Sequence, residues 1–401
     1  MPLTNDIAVR SATAEDEAAI QLLLETSFAG QWGADKQAET RALFRIEDAL
    51  VAVDGDQVVG TTEDRQMTVT VPGAATLTAA GVAAVAVAST HRRRGILRAL
   101  FTEQHRRIEE AGLPIAILTA SEGSIYGRFG YAPTTRENSV TIDRRFAEFL
   151  PCAPNVGGVR MSDPTAALDH LRAVYDRWRA VVPAAQVRPE ASWRLRLLDI
   201  ERARGGGSDL FAFVHPDGYA LYRYHKREHG IDAQVIELRA VTTDAHAALW
   251  RALCGLDITK HLEAVVSDND PLPYLLTNPR LVRTVQRADA LWLRLMDVPT
   301  ALAARTYGAD LDVVLAVHDP FREAGGTFAL TIRDGKAACS PTTGAADVDL
   351  GIDVLAGLYF GTHPARAFAA ANRLRLNDSD LLPTLETAFG SPVDAHLGWH
   401  F

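Results

Sequence analysis

Residues 84–101, AVAVASTHRRRGILRALF, join an apolar run to a helical pattern through a loop that holds three arginines and a glycine. The apolar run, traced back to Gly81, reads as a strand covered on both faces, since no polar side chain interrupts it before Ser89. Ile96, Leu97, Leu100 and Ile108 then share one stripe at helical spacing, which predicts a helix over 95–111. A helix start carries unpaired N–H groups and the positive end of the backbone dipole, so arginines placed there are unfavourable by up to ~1 kcal/mol each. A bound anion removes that conflict. Glycine lets it approach the main chain, arginine adds charge-assisted hydrogen bonds, and a pyrophosphate suits such a start well. A solvated basic helix start is the plainer alternative.

The rest of the composition makes the basic loop stand out. The chain has 41 Lys+Arg against 50 Asp+Glu, a net charge of −9, which argues against nonspecific nucleic-acid binding and favours cationic partners. At 401 residues it exceeds what one core organises, so two or three domains are expected. Hydrophobic residues at 47% exclude wholesale disorder. Cys152, Cys254 and Cys339 are far apart with no C-x-x-C spacing, which suggests neither a disulfide framework nor a zinc site and fits the cytoplasm. His91, His400 and the other histidines lack H-E-x-x-H spacing, and no metal is expected. Neither a signal peptide nor an apolar membrane span is read from the sequence.

Strand and helix signals alternate through the first 150 residues. Strands are expected at 7–10, 49–54, 57–61, 65–71, 81–88 and 114–118, with helices through Ile20–Leu24, over 95–111 and around 121–129. A Pro/Gly-rich stretch at 151–158 opens a second unit, with helices at 165–181 and 190–203 and strands at 211–215, 219–225 and 233–241. A third begins near Leu291, with strands at 311–317, 328–333 and 336–340 and helices at 352–359, 364–373 and 379–388. The expected domains are therefore 1–150, 151–290 and 291–401, of mixed α/β (α+β) class. AVASTHRRRGILRALF at 86–101 returns as AVTTDAHAALWRALC at 240–254, a strand end, a polar loop and a helix bearing Arg-Ala-Leu, so one fold unit is read as duplicated. The second loop, at 244–247, lacks the glycine and puts Asp244 at its mouth, so it should not hold a pyrophosphate.

Arg92-x-x-Gly95 and its helix, followed by strand 114–118 and Tyr126-Gly-Arg-Phe-Gly-Tyr131, resemble the acetyl-CoA signature of the GNAT N-acetyltransferases. The segments GVAAVAVASTHRRRGILRAL, ASEGSIYGRFGY, HPDGYALYR, ELRAVTTDAHAALWRAL, DPLPYLLT and AAANRLR resemble the Eis (enhanced intracellular survival) family of aminoglycoside N-acetyltransferases over nearly the whole chain. The resemblance implies an active N-terminal GNAT region, a second GNAT region without cofactor, a sterol-carrier-like C-terminal region and a homohexamer. It implies that acetyl-CoA, the cosubstrate, lies along Val85, Ala86 and Val87, over Arg93, Arg94, Gly95, Ile96, Leu97 and Arg98, and at Ser121 and Glu122. Backbone groups of 85–87 can pair with amides as an added strand does. Leu97 departs from the GNAT pattern, which has Gly or Ala there.

By the same resemblance Tyr126 is the general acid, since a phenol of pKa near 10 keeps its proton at neutral pH. A core tyrosine with a bonded hydroxyl is the ordinary alternative; Gly123, Gly127 and Gly130 favour catalysis. The C-terminal carboxylate of Phe401 is the implied general base, and the apolar ending Leu397-Gly-Trp-His-Phe401 suits a docked tail. The segment 27–32 is expected to wall the substrate, with Glu25 and Asp35 nearby. No nucleophile elbow is present, so acetyl transfer to a polycationic amine is expected to be direct. Two other readings stand beside it: acetylation of lysine side chains on proteins or peptides, and carriage of an apolar ligand by the C-terminal region.

Overall fold

The computed structural model describes residues 7–30, 42–228 and 230–401. In chain order the first part runs β1 (Ile7–Ser11), α1 (Glu17–Phe28), β2 (Ala49–Asp54), β3 (Gln57–Thr70), β4 (Thr76–Val87), α2 (Ile96–Glu110), β5 (Ile115–Thr119), α3 (Gly123–Tyr126) and β6 (Ala132–Pro133). Next come β7 (Arg136–Asp143), β8 (Arg160–Ser162), α4 (Leu168–Arg179), α5 (Glu190–Leu198), β9 (Phe211–His215), β10 (Gly218–Arg227), β11 (Gly230–Ala240), α6 (Thr243–Cys254), β12 (Thr259–Val266), α7 (Leu272–Leu275) and β13 (Arg283–Asp289). The chain closes with β14 (Leu291–Leu295), α8 (Val298–Ala304), β15 (Leu311–Asp319), β16 (Ala324–Arg333), β17 (Lys336–Pro341), β18 (Val348–Gly351), α9 (Ile352–Tyr359), α10 (Ala365–Ala370), β19 (Leu374–Leu376) and α11 (Leu381–Phe389). The strands expected at 57–61 and 65–71 are one continuous β3, because β4 pairs along nearly all of it.

Two compact units result. One comprises Met1–Thr135, Pro183–Ala191 and Ala290–Phe401; the other comprises Arg136–Val182 and Ser192–Asp289. The first unit holds a seven-stranded sheet in the order β1-β2-β3-β4-β5-β14-β6 and a five-stranded sheet in the order β17-β16-β15-β18-β19. The second holds a seven-stranded sheet that reads, from its other edge, β8-β9-β10-β11-β12-β7-β13. Both seven-stranded sheets have antiparallel strands up to the fourth, then a parallel step, β4–β5 in one and β11–β12 in the other. In both, the next strand comes from beyond an expected domain boundary. β7 lies inside the expected first domain yet pairs with β12, and β14 opens the expected third domain yet pairs with β5. The duplication seen in the sequence thus extends to strand order, with one strand traded each way.

Helices cover these sheets through the apolar stripes that their spacing predicts. On α2, Ile96, Leu100, Phe101 and Ile108 are buried; on α6, Leu249, Trp250 and Leu253 are. In the C-terminal part of the first unit, Arg305 is fully buried and donates hydrogen bonds to the carbonyls of Leu358, Tyr359, Phe389 and Gly390 at the C-terminal ends of α9 and α11. A cation suits those carbonyl-rich helix ends.

Candidate active site

The parallel contact between β4 and β5 is short: Ala79↔Ile115, Ala80↔Ala116 and Gly81↔Ile117. Past Gly81 the two strands part. On its other side β4 carries a bulge, since Thr61 faces Ala86 while Glu63 faces Ala83, leaving two residues of β4 against Thr62. Ala84 takes a left-handed φ of 52° to make it. A bulge bends and twists its strand, and here it directs Val85–Val87 along the gap, where no strand among the described residues pairs with their β5-facing edge.

The arginine loop follows. Arg93 and Gly95 are both left-handed, with φ of 63° and 84°, a conformation glycine adopts freely and arginine at some cost. The first intrahelical hydrogen bond of α2 runs from Ala99 N to Gly95 O at 3.1 Å, and no side chain caps the helix. The N–H groups of Ile96, Leu97 and Arg98 are therefore without helical partners. Gly60 on β3 lets the helix start sit close to the sheet: a Cβ there would lie 2.8 Å from Ile96 Cγ2 and 3.1 Å from Leu100 Cδ1.

Gap and helix start open into one cleft of about 840 Å³. Val85, Ala86, Val87, Arg93, Gly95, Ile96, Leu97, Arg98, Ser121, Glu122 and Tyr126 all line it, so eleven of the expected site residues meet. Two do not. Arg94 turns away and pairs with Asp54 at 3.1 Å, and Phe401 is not among the lining residues. Ser27 and Phe28 of the expected wall line the cleft; Gln31, Trp32 and Asp35 lie outside the described residues. Glu25 accepts a hydrogen bond from Gln21 at 3.0 Å and does not line it. His91, Arg92, Arg128 and Phe129 line it and were not singled out as site residues; the R-x-x-G spacing carried a signal for Arg92 alone. Among the described residues Arg92, Arg93, Arg98 and Arg128 have no carboxylate partner, and Glu122 is the one acid on the wall. Anions are the natural occupants.

Tyr126 ends α3 at the cleft, 5% exposed, against Phe101, Tyr131 and Trp292. Burial, helped by the charge of Glu122, pushes its phenol up to about 12. Among the described residues no hydrogen-bond partner meets its hydroxyl. The loop behind it is held by Arg294 of β14, which is fully buried and bonds both Phe129 O and the Asp319 carboxylate. Sequence alone gave no sign of Arg294 or Trp292, because both reach the site through the traded strand.

The C-terminal tail is docked. Gly398 N and Trp399 N both donate to Gln186 Oε1, at 3.0 and 3.4 Å, and Trp399 Nε1 donates to Val187 O at 3.1 Å. Residues 184–187 in turn hydrogen-bond the main chain of β3 at Thr68 and Thr70. Phe401 packs its ring on Trp399, centroids 5.8 Å apart.

The second copy is built differently at the matching point. Asp244-Ala245-His246-Ala247, read as a loop, is the first turn of α6, and Thr242 caps it by accepting from Ala245 N at 3.2 Å. One of its helix-start donors is thus met by a capping side chain, and among the described residues neither a left-handed residue nor an arginine opens it.

Models of known families match in three stretches: an acetyltransferase (GNAT) domain at residues 8–134, a second acetyltransferase (GNAT) domain at 184–300 and a sterol carrier protein domain at 298–398. The chain is 46% identical to the N-acetyltransferase Eis of Mycobacterium tuberculosis over 406 aligned residues, covering 98% of this chain and all of that one. It is 36% identical to an uncharacterised N-acetyltransferase of Streptomyces avermitilis, covering 92% and 93% of the two chains. Among solved structures, Eis1 of Mycobacterium abscessus superposes with a TM-score of 0.87 at 29% identity, over 98% of this chain and all of that one. With the family matches falling on the duplicated sheets and on the five-stranded one, the chain belongs to the Eis family of GNAT N-acetyltransferases, enzymes that take the acetyl group from acetyl-CoA.

Proposed function

We propose that this chain binds acetyl-CoA in the described cleft and acetylates primary amines of aminoglycosides or similar polycationic small molecules. The observation that carries the donor half is the glycine-opened start of α2, whose first N–H groups face the same cleft as Tyr126 together with Arg92 and Arg93, which have no carboxylate partner among the described residues. Val85–Val87 would hold the pantetheine arm by main-chain pairing, Arg92, Arg93, Gly95 and the first turn of α2 the pyrophosphate, and Ser121 and Glu122 the wall beside the reactive end. Bound there, acetyl-CoA supplies an activated acyl carbon. Tyr126 keeps a proton ready for the departing sulfur, and its raised pKa keeps that proton in place at neutral pH. The Phe401 carboxylate orients the amine and accepts its proton as the N–C bond forms. A carboxylate near 3.5 facing an amine near 10 makes earlier transfer uphill by roughly 9 kcal/mol.

The division of labour we propose is catalysis in 1–150, a cofactor-free GNAT fold in 151–290 and a sterol-carrier-like region in 291–401 that delivers Phe401. Assembly as a homohexamer in the cytoplasm is part of the same reading, supported by likeness to the Eis proteins. The aminoglycoside assignment rests on the net charge of −9 and on that likeness. Thiol release from acetyl-CoA with kanamycin, followed by mass spectrometry of the drug, tests it; lack of an acetylated product across an aminoglycoside panel would defeat it. Parallel turnover on lysine peptides separates drug from protein substrates. Deleting Phe401 should abolish turnover, whereas a carrier of apolar ligands would be indifferent.

A further inference from the structure

The loop from Ala88 to Gly95 carries four basic side chains, His91, Arg92, Arg93 and Arg94, and they are not equivalent. Arg92 and Arg93 are exposed along the cleft with no carboxylate partner among the described residues. Both others converge on a single carboxylate, Asp54 at the end of β2: His91 Nε2 lies 3.2 Å and Arg94 Nη1 3.1 Å from Oδ2. Thr90 Oγ1 stands 2.7 Å from His91 Nδ1. A hydroxyl donating to Nδ1 leaves the proton on Nε2, the nitrogen that faces Asp54. At its base the loop is tied by Ala88 N to Val59 O at 2.9 Å and by His91 N to Ala88 O at 2.8 Å. Beyond these ties the main chain passes through left-handed Arg93 and Gly95, and a non-glycine residue holds that conformation only when its surroundings impose it.

We propose that Asp54 is a positioning residue for the acetyl donor: it draws His91 and Arg94 to the β2–β3 hairpin, fixes the loop, and so leaves Arg92, Arg93 and the α2 N–H groups aimed at the diphosphate. The proposal rests on the donor cleft read above. Its consequence runs against simple electrostatics. Asp54 is a negative charge beside an anion site, so its removal makes the neighbourhood more positive and, through charge alone, should tighten binding of acetyl-CoA. If its work is to hold the loop, removal weakens binding.

Steady-state kinetics and CoA calorimetry on the full chain distinguish the two. Asp54→Ala should raise KM for acetyl-CoA by about tenfold, the scale set by losing hydrogen bonds to charged partners, with kcat at saturation within about twofold. Asp54→Asn keeps an oxygen that both donors can reach and should restore KM to within about threefold. Arg94→Ala should also raise KM, and the double variant Asp54→Ala/Arg94→Ala should be less impaired than the product of the two single effects. A KM that falls or stays level in Asp54→Ala, or a loss confined to kcat, overturns the proposal. Should Asp54→Ala not fold, a KM for acetyl-CoA left level by Arg94→Ala does the same. Arg92→Ala/Arg93→Ala is the separate check on the cleft: if it leaves CoA affinity intact, the donor reading itself fails, whereas its loss alongside a normal Asp54→Ala sinks only the role of Asp54.

Discussion

Substituting alanine for Gly60 probes how the sheet seats the helix that opens the cleft. A Cβ at this position would stand 2.8 Å from Ile96 Cγ2, 3.1 Å from Leu100 Cδ1 and 3.3 Å from Ala52 Cβ. Ordinary carbon contacts lie near 3.5–4.0 Å, so Ile96 has to retreat by roughly 0.7–1.2 Å. Overpacking of this size costs about 1–3 kcal/mol, and losing a strand glycine returns about 0.5–1 kcal/mol. The net should be a destabilisation of up to ~2.5 kcal/mol, read by urea unfolding. Because Ile96 is the first helical residue and lines the cleft, KM for acetyl-CoA should rise with it. Ile96→Ala removes the clashing methyl, so in the double variant the two effects should couple by about 1 kcal/mol or more. Additivity within ~0.5 kcal/mol would show that Gly60 and Ile96 do not meet as described, and the seating of α2 would have to be rebuilt.

Tyr126→Phe should lower kcat by roughly 10²–10⁴-fold with KM for acetyl-CoA little changed, measured by thiol release. The wild-type phenol, raised to about 12, should cause no alkaline fall in kcat below roughly pH 10. Asp64 sits under α2, where burial pushes its carboxyl up to about 7. The folded chain thus holds that proton more tightly than the unfolded one, and the stabilisation is complete below about pH 4 and lost as pH rises through about 7. Asp64→Asn should accordingly melt higher than the wild type at pH 8, the gain fading toward pH 4 in a series of thermal melts. Arg305→Met should destabilise the first unit by roughly 2–5 kcal/mol, since it strands buried carbonyls at two helix ends; calorimetry reads the loss.

Much of the cleft-bearing stretch could be read from local pattern. The all-apolar strand, the glycine after the arginines and the stripe on α2 are short-range signals for the strand, the loop and the helix, whereas the eleven site residues that line the cleft are named by resemblance to the family. What escaped depends on partners far along the chain. Nothing in Arg136–Asp143 or Leu291–Leu295 says which sheet each will join, because period-two alternation specifies a strand and not its neighbour. Arg294 and Trp292 were invisible for that reason. The bulge at Ala84 was hidden by an ordinary-looking alanine, and Arg94 looked identical to its neighbours until Asp54, 40 residues away, claimed it. The loop read at 244–247 failed on a local rule: Thr242 followed by Thr243 and Asp244 is an N-cap signature, and the helix begins there.

The traded strands bind the fate of the two halves of the gene. A fragment stopping at residue 150 would carry β7 without its own sheet and would leave β5 facing water where Leu291–Leu295 belongs. The loop behind Tyr126 would lose the buried guanidinium that anchors it. Neither seven-stranded sheet can be cut from the chain as one continuous segment: the first needs Leu291–Leu295 and the second needs Arg136–Asp143.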